Sequence, residues 1–193
     1  MRKAQISRNT AETKITCQLD LEGSGQVNVN TGIGFFDHML TLLAFHSGFD
    51  LDLQADGDLE VCDHHTVEDC GIVLGCALKE ALGDAKGITR YGSFQLPMDE
   101  VLCHVTLDIS GRPYLVYHCE LNREKVGELS CEMVEEFLRA LAFHAGITLH
   151  VNVLYGKNDH HKIEAVFKAL ARALKQAVQI SGDGVQSSKG LLL

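Results

Sequence analysis

The sequence predicts an internally duplicated α+β fold, two similar halves that each place helices on one face of a mostly antiparallel sheet. Three observations predict it. The hexapeptide Asp63-His64-His65-Thr66-Val67-Glu68 returns 96 residues later as Asp159-His160-His161-Lys162-Ile163-Glu164. Ala44-Phe45-His46-Ser47-Gly48 returns as Ala142-Phe143-His144-Ala145-Gly146 at a spacing of 98, and Leu19-Asp20-Leu21 resembles Leu107-Asp108-Ile109 at a spacing of 88. Hydrophobic periodicity then spells strands, helix, strand, helix twice over. A period near 90 to 100 residues is too long for a solenoid, whose units run about 20–50 residues. Two fused repeats of about 8–85 and 90–180, within one domain of residues 1–193, fit better.

The elements follow in order. Ile15, Cys17, Leu19 and Leu21 alternate as a half-buried strand, Gly23 and Gly25 mark a turn, and a second strand runs near 26–30. From Asp37 the pattern turns helical through Met39, Leu42, Leu43 and His46 and stops at Gly48. Strands are expected near 49–55 and 58–62. A helix opens at His64 with Asp63 as its N-cap, the stripe Val67, Cys70, Leu74, Leu78 and Ala81, and Gly83 after its end. In the second half Val101, Cys103, Val105, Leu107 and Ile109 alternate as a strand, and Gly111-Arg112-Pro113 turns the chain into a strand near 114–120. A helix over 131–145 ends at Gly146, a strand covers 147–154, and a last helix from His160 buries Phe167, Leu170, Leu174 and Ala177.

Composition narrows the function. A net charge of −9 disfavours nucleic acid, which needs a basic face, but leaves room for a small anion held by a few Arg and Lys residues. Seven cysteines without a C-x-x-C spacing read as free thiols in a reducing compartment. No signal-like segment and no apolar run long enough for a membrane span appears, so the expectation is a cytoplasmic protein without membrane attachment.

The doubled hexapeptide is a metal-ligand set. On a helix, residues three or four apart share a face and adjacent ones diverge by about 100°. Glu68 can join His64 or His65 at one ion, so the two histidines serve different ions; the same holds for His160, His161 and Glu164. The repeat nominates two more ligands, His38, eight residues before His46, and Glu136, eight before His144. Imidazole with carboxylate suits Mn, Fe, Co, Ni or Zn, and no thiolate belongs to the set. His46 and His144 read as packing equivalents, His104 and His118 as sheet residues, and His150 as a strand residue close to the second motif.

At these residues the chain resembles the imidazoleglycerol-phosphate dehydratases of histidine biosynthesis. The matching segments are G-I-G-F-F-D-H-M-L (32–40), D-H-H-T-V-E-D (63–69), R-Y-G (90–92), D-I-S-G-R-P-Y-L (108–115), N-D-H-H-K-I-E-A (158–165) and S-S-K-G (187–190), in unbroken order. The resemblance implies duplicated ferredoxin-like halves and two Mn(II) ions per active site. It implies dehydration of D-erythro-imidazole-glycerol 3-phosphate to imidazole-acetol phosphate and water. It implies 24-subunit homo-oligomeric shells with active sites shared between subunits. The eight ligands His38, His64, His65, Glu68, Glu136, His160, His161 and Glu164 match the family's metal positions, although Glu136 stands where many members carry histidine. Glu12 matches a substrate-binding glutamate and is expected to be the acid/base. Arg90, Arg112, Ser187, Ser188 and Lys189 match phosphate-binding positions, which brings the tail 181–193 into the substrate site.

The chemistry is consistent with that assignment. The substrate's hydroxyl leaves after loss of a poorly acidic C–H with no carbonyl beside it. Two ions on the imidazole nitrogens would favour an imidazolate able to expel it, and a carboxylate must still move the proton. Two other classes share the ligand set: a binuclear hydrolase of phosphoesters or amides, and a non-catalytic assembly stapled by metal. Hydrolases of that kind usually carry Asp-rich ligand sets, and Glu12 with the arginine set argues against the staple.

Overall fold

Both halves write their elements in the order β-β-β-α-β-α, the second with a short hairpin inserted before its first helix. In the computed structural model, which describes residues 2–190 and 192, the first half comprises β1 (Lys3–Asn9), β2 (Thr13–Asp20), β3 (Val27–Asn30), α1 (Gly34–Ser47), β4 (Asp50–Gly57) and α2 (His64–Leu82). The second comprises β5 (Tyr91–Met98), β6 (Val101–Asp108), β7 (Tyr114–His118), a short hairpin β8 (Lys125–Val126) and β9 (Leu129–Ser130), α3 (Glu132–Ala145), β10 (Thr148–Tyr155) and α4 (Asp159–Ala177). Met1, Leu191 and Leu193, the latter two in the expected tail, lie outside the described residues. The sheets run β1-β2-β4-β3 and β5-β6-β10-β7, each antiparallel except for its last pair. The duplicated, ferredoxin-like α+β arrangement is therefore present.

Period-two patterning decides which sheet face is inside. Ile15, Cys17 and Leu19 on β2, Leu51 and Leu53 on β4, and Val101, Cys103, Val105 and Leu107 on β6 are buried, while Lys14, Thr16 and Gln18 between them face out. α2 covers β1 and β2, and α4 covers β5 and β6. The halves meet through helices, α2 against α3 and α1 against α4. Phe36 of α1, Phe137 of α3 and Phe167 of α4 form a chain of rings 5.2 and 5.4 Å apart at the centre of this shared core.

Both helix pairs run side by side in the same direction. At one end Phe35 stacks 4.9 Å from His160, and at the other Gly48 faces Lys175. Likewise Gly71 faces Phe137 and Ala140, and Gly75, one turn on, faces Leu141 and His144. A Cβ on Gly71 would lie 2.8 Å from the Phe137 carbonyl oxygen and 2.9 Å from the Ala140 Cβ, so α2 reaches α3 only because both positions lack a side chain. Gly92 of the R-Y-G segment plays the same part for α4, because a Cβ there would fall 1.9 Å from the Ala173 carbonyl oxygen. The repeated A-F-H-[S/A]-G segment is a helix terminus: Gly48 (φ 80°) and Gly146 (φ 69°) take the left-handed conformation and cap α1 and α3.

Three expectations change. Residues 58–62 form turns, closed by Leu59 N–H to Gly57 O and Val61 N–H to Asp58 O, because both edges of β4 are already paired and Val61 stays 65% exposed. Asp63 is not a side-chain cap; its carboxylate accepts the Ser130 N–H at 2.6 Å and hydroxyl at 2.8 Å, tying the start of α2 to β9 of the other half. Strands β1 and β5 are additional; they are edge strands whose sequences are largely polar or only partly buried.

Gly71→Ala should destabilise the metal-free protein by about 1–3 kcal/mol through overpacking, outweighing a helix-propensity gain of about 1 kcal/mol. Gly34→Ala, where a Cβ meets nothing within 4 Å, should show no such loss in the same thermal unfolding series.

Candidate active site

The two D-H-H elements begin α2 and α4, and helical geometry splits each histidine pair. His64 Nε2 lies 3.5 Å from Glu68 and His160 Nε2 lies 3.1 Å from Glu164, each one turn along its helix. The second histidines point elsewhere. His65 Nδ1 meets both Asp58 oxygens at 3.0 and 3.1 Å, and His161 Nδ1 meets Glu100 Oε2 at 2.8 Å. These bonds to Asp58 and Glu100 are the main cause that raises each imidazole above its ordinary pKa. Glu100 is held down to about 2, first by the Asn158 N–H and then by His161.

His38 and Glu136 lie just past the first turns of α1 and α3, each on a helix that packs against the other half's motif helix. The Thr31 N–H and hydroxyl bind Asp37 at 2.8 and 2.6 Å, which fixes the entry to α1 and so the place of His38. Phe35 bridges His38 and His160, with ring centroids 6.5 and 4.9 Å away. On the pseudo-equivalent side the Asp63–Ser130 bonds and the Gly71–Phe137 contact set α3, which carries Glu136, against α2. Among the described residues, no three His, Cys, Asp or Glu side chains stand close enough to enclose an ion within one chain.

Cations already answer two of these carboxylates. The Lys168 ammonium contacts Glu164, and Arg139 Nε lies 3.7 Å from Glu136. Burial opposes ionisation of Glu164, but Lys168 and His160 together outweigh it and hold the carboxyl below its usual range. The donor set is imidazole nitrogen and carboxylate oxygen with no thiolate, which fits a first-row divalent ion.

Glu12 lies in the β1–β2 turn, with Oε1 3.7 Å from His65 Nε2. Its placement comes from the motif itself. Asp69 accepts the Thr13 hydroxyl and pairs with Arg8 at 2.9 Å, which clamps this hairpin onto α2.

The expected phosphate residues converge at the other end of the molecule. Arg90, Arg112, Ser187, Ser188 and Lys189 line one cavity of about 270 Å³ with Tyr91, Ser110 and Leu192. Arg90 is not free there. It forks onto Asp108 at 2.7 and 3.1 Å, and its remaining nitrogen donates to the Gln186 carbonyl at 2.5 Å, so it pins the tail. Its backbone is left-handed at φ 75°. Arg112 is 70% exposed, with its Nη2 3.7 Å from Asp108. Strand β5 separates Arg90 from the Asp99–Glu100 turn beside His161; eight residues at the rise of a strand span roughly 25 Å. The cavity also lies at the C-terminal end of α3, where Gly146 touches Gly111, about 15 Å along the helix from Glu136.

Sequence reasoning did not single out Asp58, Glu100, Asp108 or Lys168. For Glu100 a signal existed: at the spacing of 88 it is the equivalent of Glu12.

Residues 31–174 match the family described as imidazoleglycerol-phosphate dehydratase. The chain is 60% identical over 192 residues to an imidazoleglycerol-phosphate dehydratase of Clostridium botulinum, covering 99% of this chain and 98% of that one. It is 59% identical over 193 residues to that of Acetivibrio thermocellus, covering 99% of each. The crystal structure of the Staphylococcus aureus dehydratase superposes with a TM-score of 0.85 at 44% identity, over 93% of this chain and 99% of that one. The Pyrococcus furiosus structure gives 0.85 at 37%, over 97% and 100%. Identity at that level over nearly the whole length, with the same fold, settles the kinship: the chain belongs to the imidazoleglycerol-phosphate dehydratase family.

Proposed function

We propose that this chain dehydrates D-erythro-1-(imidazol-4-yl)glycerol 3-phosphate to 3-(imidazol-4-yl)-2-oxopropyl phosphate and water, a step of histidine biosynthesis. The observation that carries the reading is the pair of equivalent imidazole–carboxylate couples, His64–Glu68 and His160–Glu164, at the starts of α2 and α4 in a chain of this family. His38, His64, His65, Glu68, Glu136, His160, His161 and Glu164 would hold two Mn(II) ions per active site. When bound, the ions supply Lewis acidity at the imidazole nitrogens of the substrate. Glu12 takes the proton from carbon and delivers one to the departing hydroxyl. Arg112, Lys189, Ser187 and Ser188 bind the phosphate, and Arg90 holds the tail that carries three of them. The seven free cysteines support a reducing, cytoplasmic setting.

The substrate is far shorter than the 15–25 Å estimated between a chain's metal ligands and its own phosphate cavity. That separation supports active sites between subunits, in a homo-oligomer that we take to be the 24-subunit shell. Chelation should therefore abolish turnover of imidazole-glycerol phosphate and yield smaller particles by size-exclusion chromatography, and Mn(II) should restore both. A verified metal-free protein that stays large, or that stays active, would overturn the reading. Formation of inorganic phosphate or an amine in place of a ketone would point to the hydrolase instead.

His64→Ala and His160→Ala remove equivalent ligands from the two halves. Both should lower metal content per subunit and turnover to a similar degree; near wild-type rates in either would count against a two-metal site.

Glu12→Gln keeps the shape but accepts no proton. It should retain its metals and bind substrate, with turnover reduced about 10²–10⁴-fold. Metal analysis, calorimetry and product assay on one preparation separate a proton carrier from a ligand.

A further inference from the structure

His65 and His161 each hold a carboxylate on Nδ1, and neither carboxylate belongs to the ligand set. We propose that Asp58 and Glu100 are positioning residues that fix the tautomer of these histidines, accepting a hydrogen bond from Nδ1–H and leaving Nε2 as a lone pair for the ion. The inference rests on the two-metal reading above. A ring nitrogen that carries a proton cannot ligate, and an ionised carboxylate only accepts, so it draws the proton to the nitrogen it faces.

The two halves achieve this with different parts. β2 begins at Thr13 and β6 at Val101, so Glu12 and Glu100 hold the same place in equivalent hairpins. In the second half the hairpin glutamate orients its histidine at 2.8 Å from Nδ1, while the exposed Asp99 beside it stands 3.6 Å from Nε2. In the first half Asp58 does so from the turn after β4, and Glu12 stands 3.7 Å from the opposite nitrogen, Nε2. The residue 96 places beyond Asp58 is Leu154, which has no carboxylate to offer. Asp58 thereby releases Glu12 from the work its twin still does. One duplicated glutamate is free to carry a proton, and the other is not.

The two orienting groups differ in freedom. Glu100 Oε1 accepts the N–H groups of Lys157 at 3.1 Å and Asn158 at 2.8 Å, so only Oε2 faces His161. Among the described residues, both Asp58 oxygens face His65 alone. An amide at position 58 can rotate its oxygen onto Nδ1–H and keep the tautomer. An amide at position 100 must keep its oxygen on the two backbone donors and turn its NH₂ toward His161. That NH₂ donates to Nδ1 and drives the ring proton to Nε2.

The test is Mn(II) titration of chelated full-length protein, followed by the electron paramagnetic resonance of free Mn(II), with thermal unfolding of each metal-free variant. Glu100→Gln and Asp58→Ala should each weaken Mn(II) binding at the affected site about 10–100-fold. Asp58→Asn should recover most of what Asp58→Ala loses, and metal-free melting temperatures should match wild type. Wild-type affinity in Glu100→Gln, equal losses in Asp58→Asn and Asp58→Ala, or a loss that tracks a lowered metal-free melting temperature would each overturn the proposal. A wild-type protein that binds no Mn(II) would overturn the two-metal reading beneath it as well.

Discussion

Neighbouring side chains on a helix point about 100° apart, and the site is organised around that angle. His64 turns toward Glu68 and His65 toward Asp58; His160 turns toward Glu164 and His161 toward Glu100. One chain therefore presents its imidazoles in diverging directions, and among the described residues it encloses no ion by itself. α1 and α3 bring His38 and Glu136 from within the chain, and the proposed assembly of several copies would supply the rest.

The parallel pairing of helices across the halves makes this arrangement rigid. Asp63 and Asp159 each serve the same end: Asp63 grips Ser130, and Asp159 accepts the Asn122 and Arg123 N–H groups at 2.7 and 2.8 Å while holding Lys162. These bonds fasten each motif to the segment between β7 and α3. Behind them lie Phe36, Phe137 and Phe167, each at most 1% exposed and each contributing about 1.5–3 kcal/mol by burial. A ligand displaced at a helix N-terminus would have to move this core. The glycines at 71, 75 and 92 record how closely the layers approach.

Most of the fold was legible because burial writes itself into periodicity. The stripe Val67, Cys70, Leu74, Leu78 and Ala81 is at most 4% exposed, and the strands Thr13–Asp20 and Val101–Asp108 alternate as their sequences do. The eight proposed metal ligands were legible as a set because duplication printed them twice. What escaped was set by pairing rather than by side chains. β1 and β5 hold their places through backbone bonds at sheet edges, and a polar edge strand leaves no hydrophobic signature. Leu59 and Val61 alternate without a partner strand to receive them, so alternation misled there. Asp63 looked like a helix cap because a local rule covers that position, while its actual partner, Ser130, is 67 residues away.

The polarity of the helices has a consequence for both ends of the molecule. Each helix carries roughly half a positive charge at its N-terminus and half a negative one at its C-terminus. The proposed metal ligands crowd the positive ends, which repel a bare divalent ion and welcome carboxylates. An ion held there by imidazoles alone would work against that field, so on the two-metal reading Glu68, Glu136 and Glu164 supply the charge that offsets it. The phosphate cavity meets the opposite problem. It opens beside the C-terminal ends of α3 and α4, where Gly146 touches Gly111 and the Arg90 N–H binds the Ala177 carbonyl. Many proteins cradle phosphate on helix N-terminal amides; here the backbone presents carbonyls. On the proposed reading, a phosphate there would rely on Arg112, Lys189 and the serines of the tail, and its grip would be more sensitive to ionic strength than that of a helix-bound phosphate.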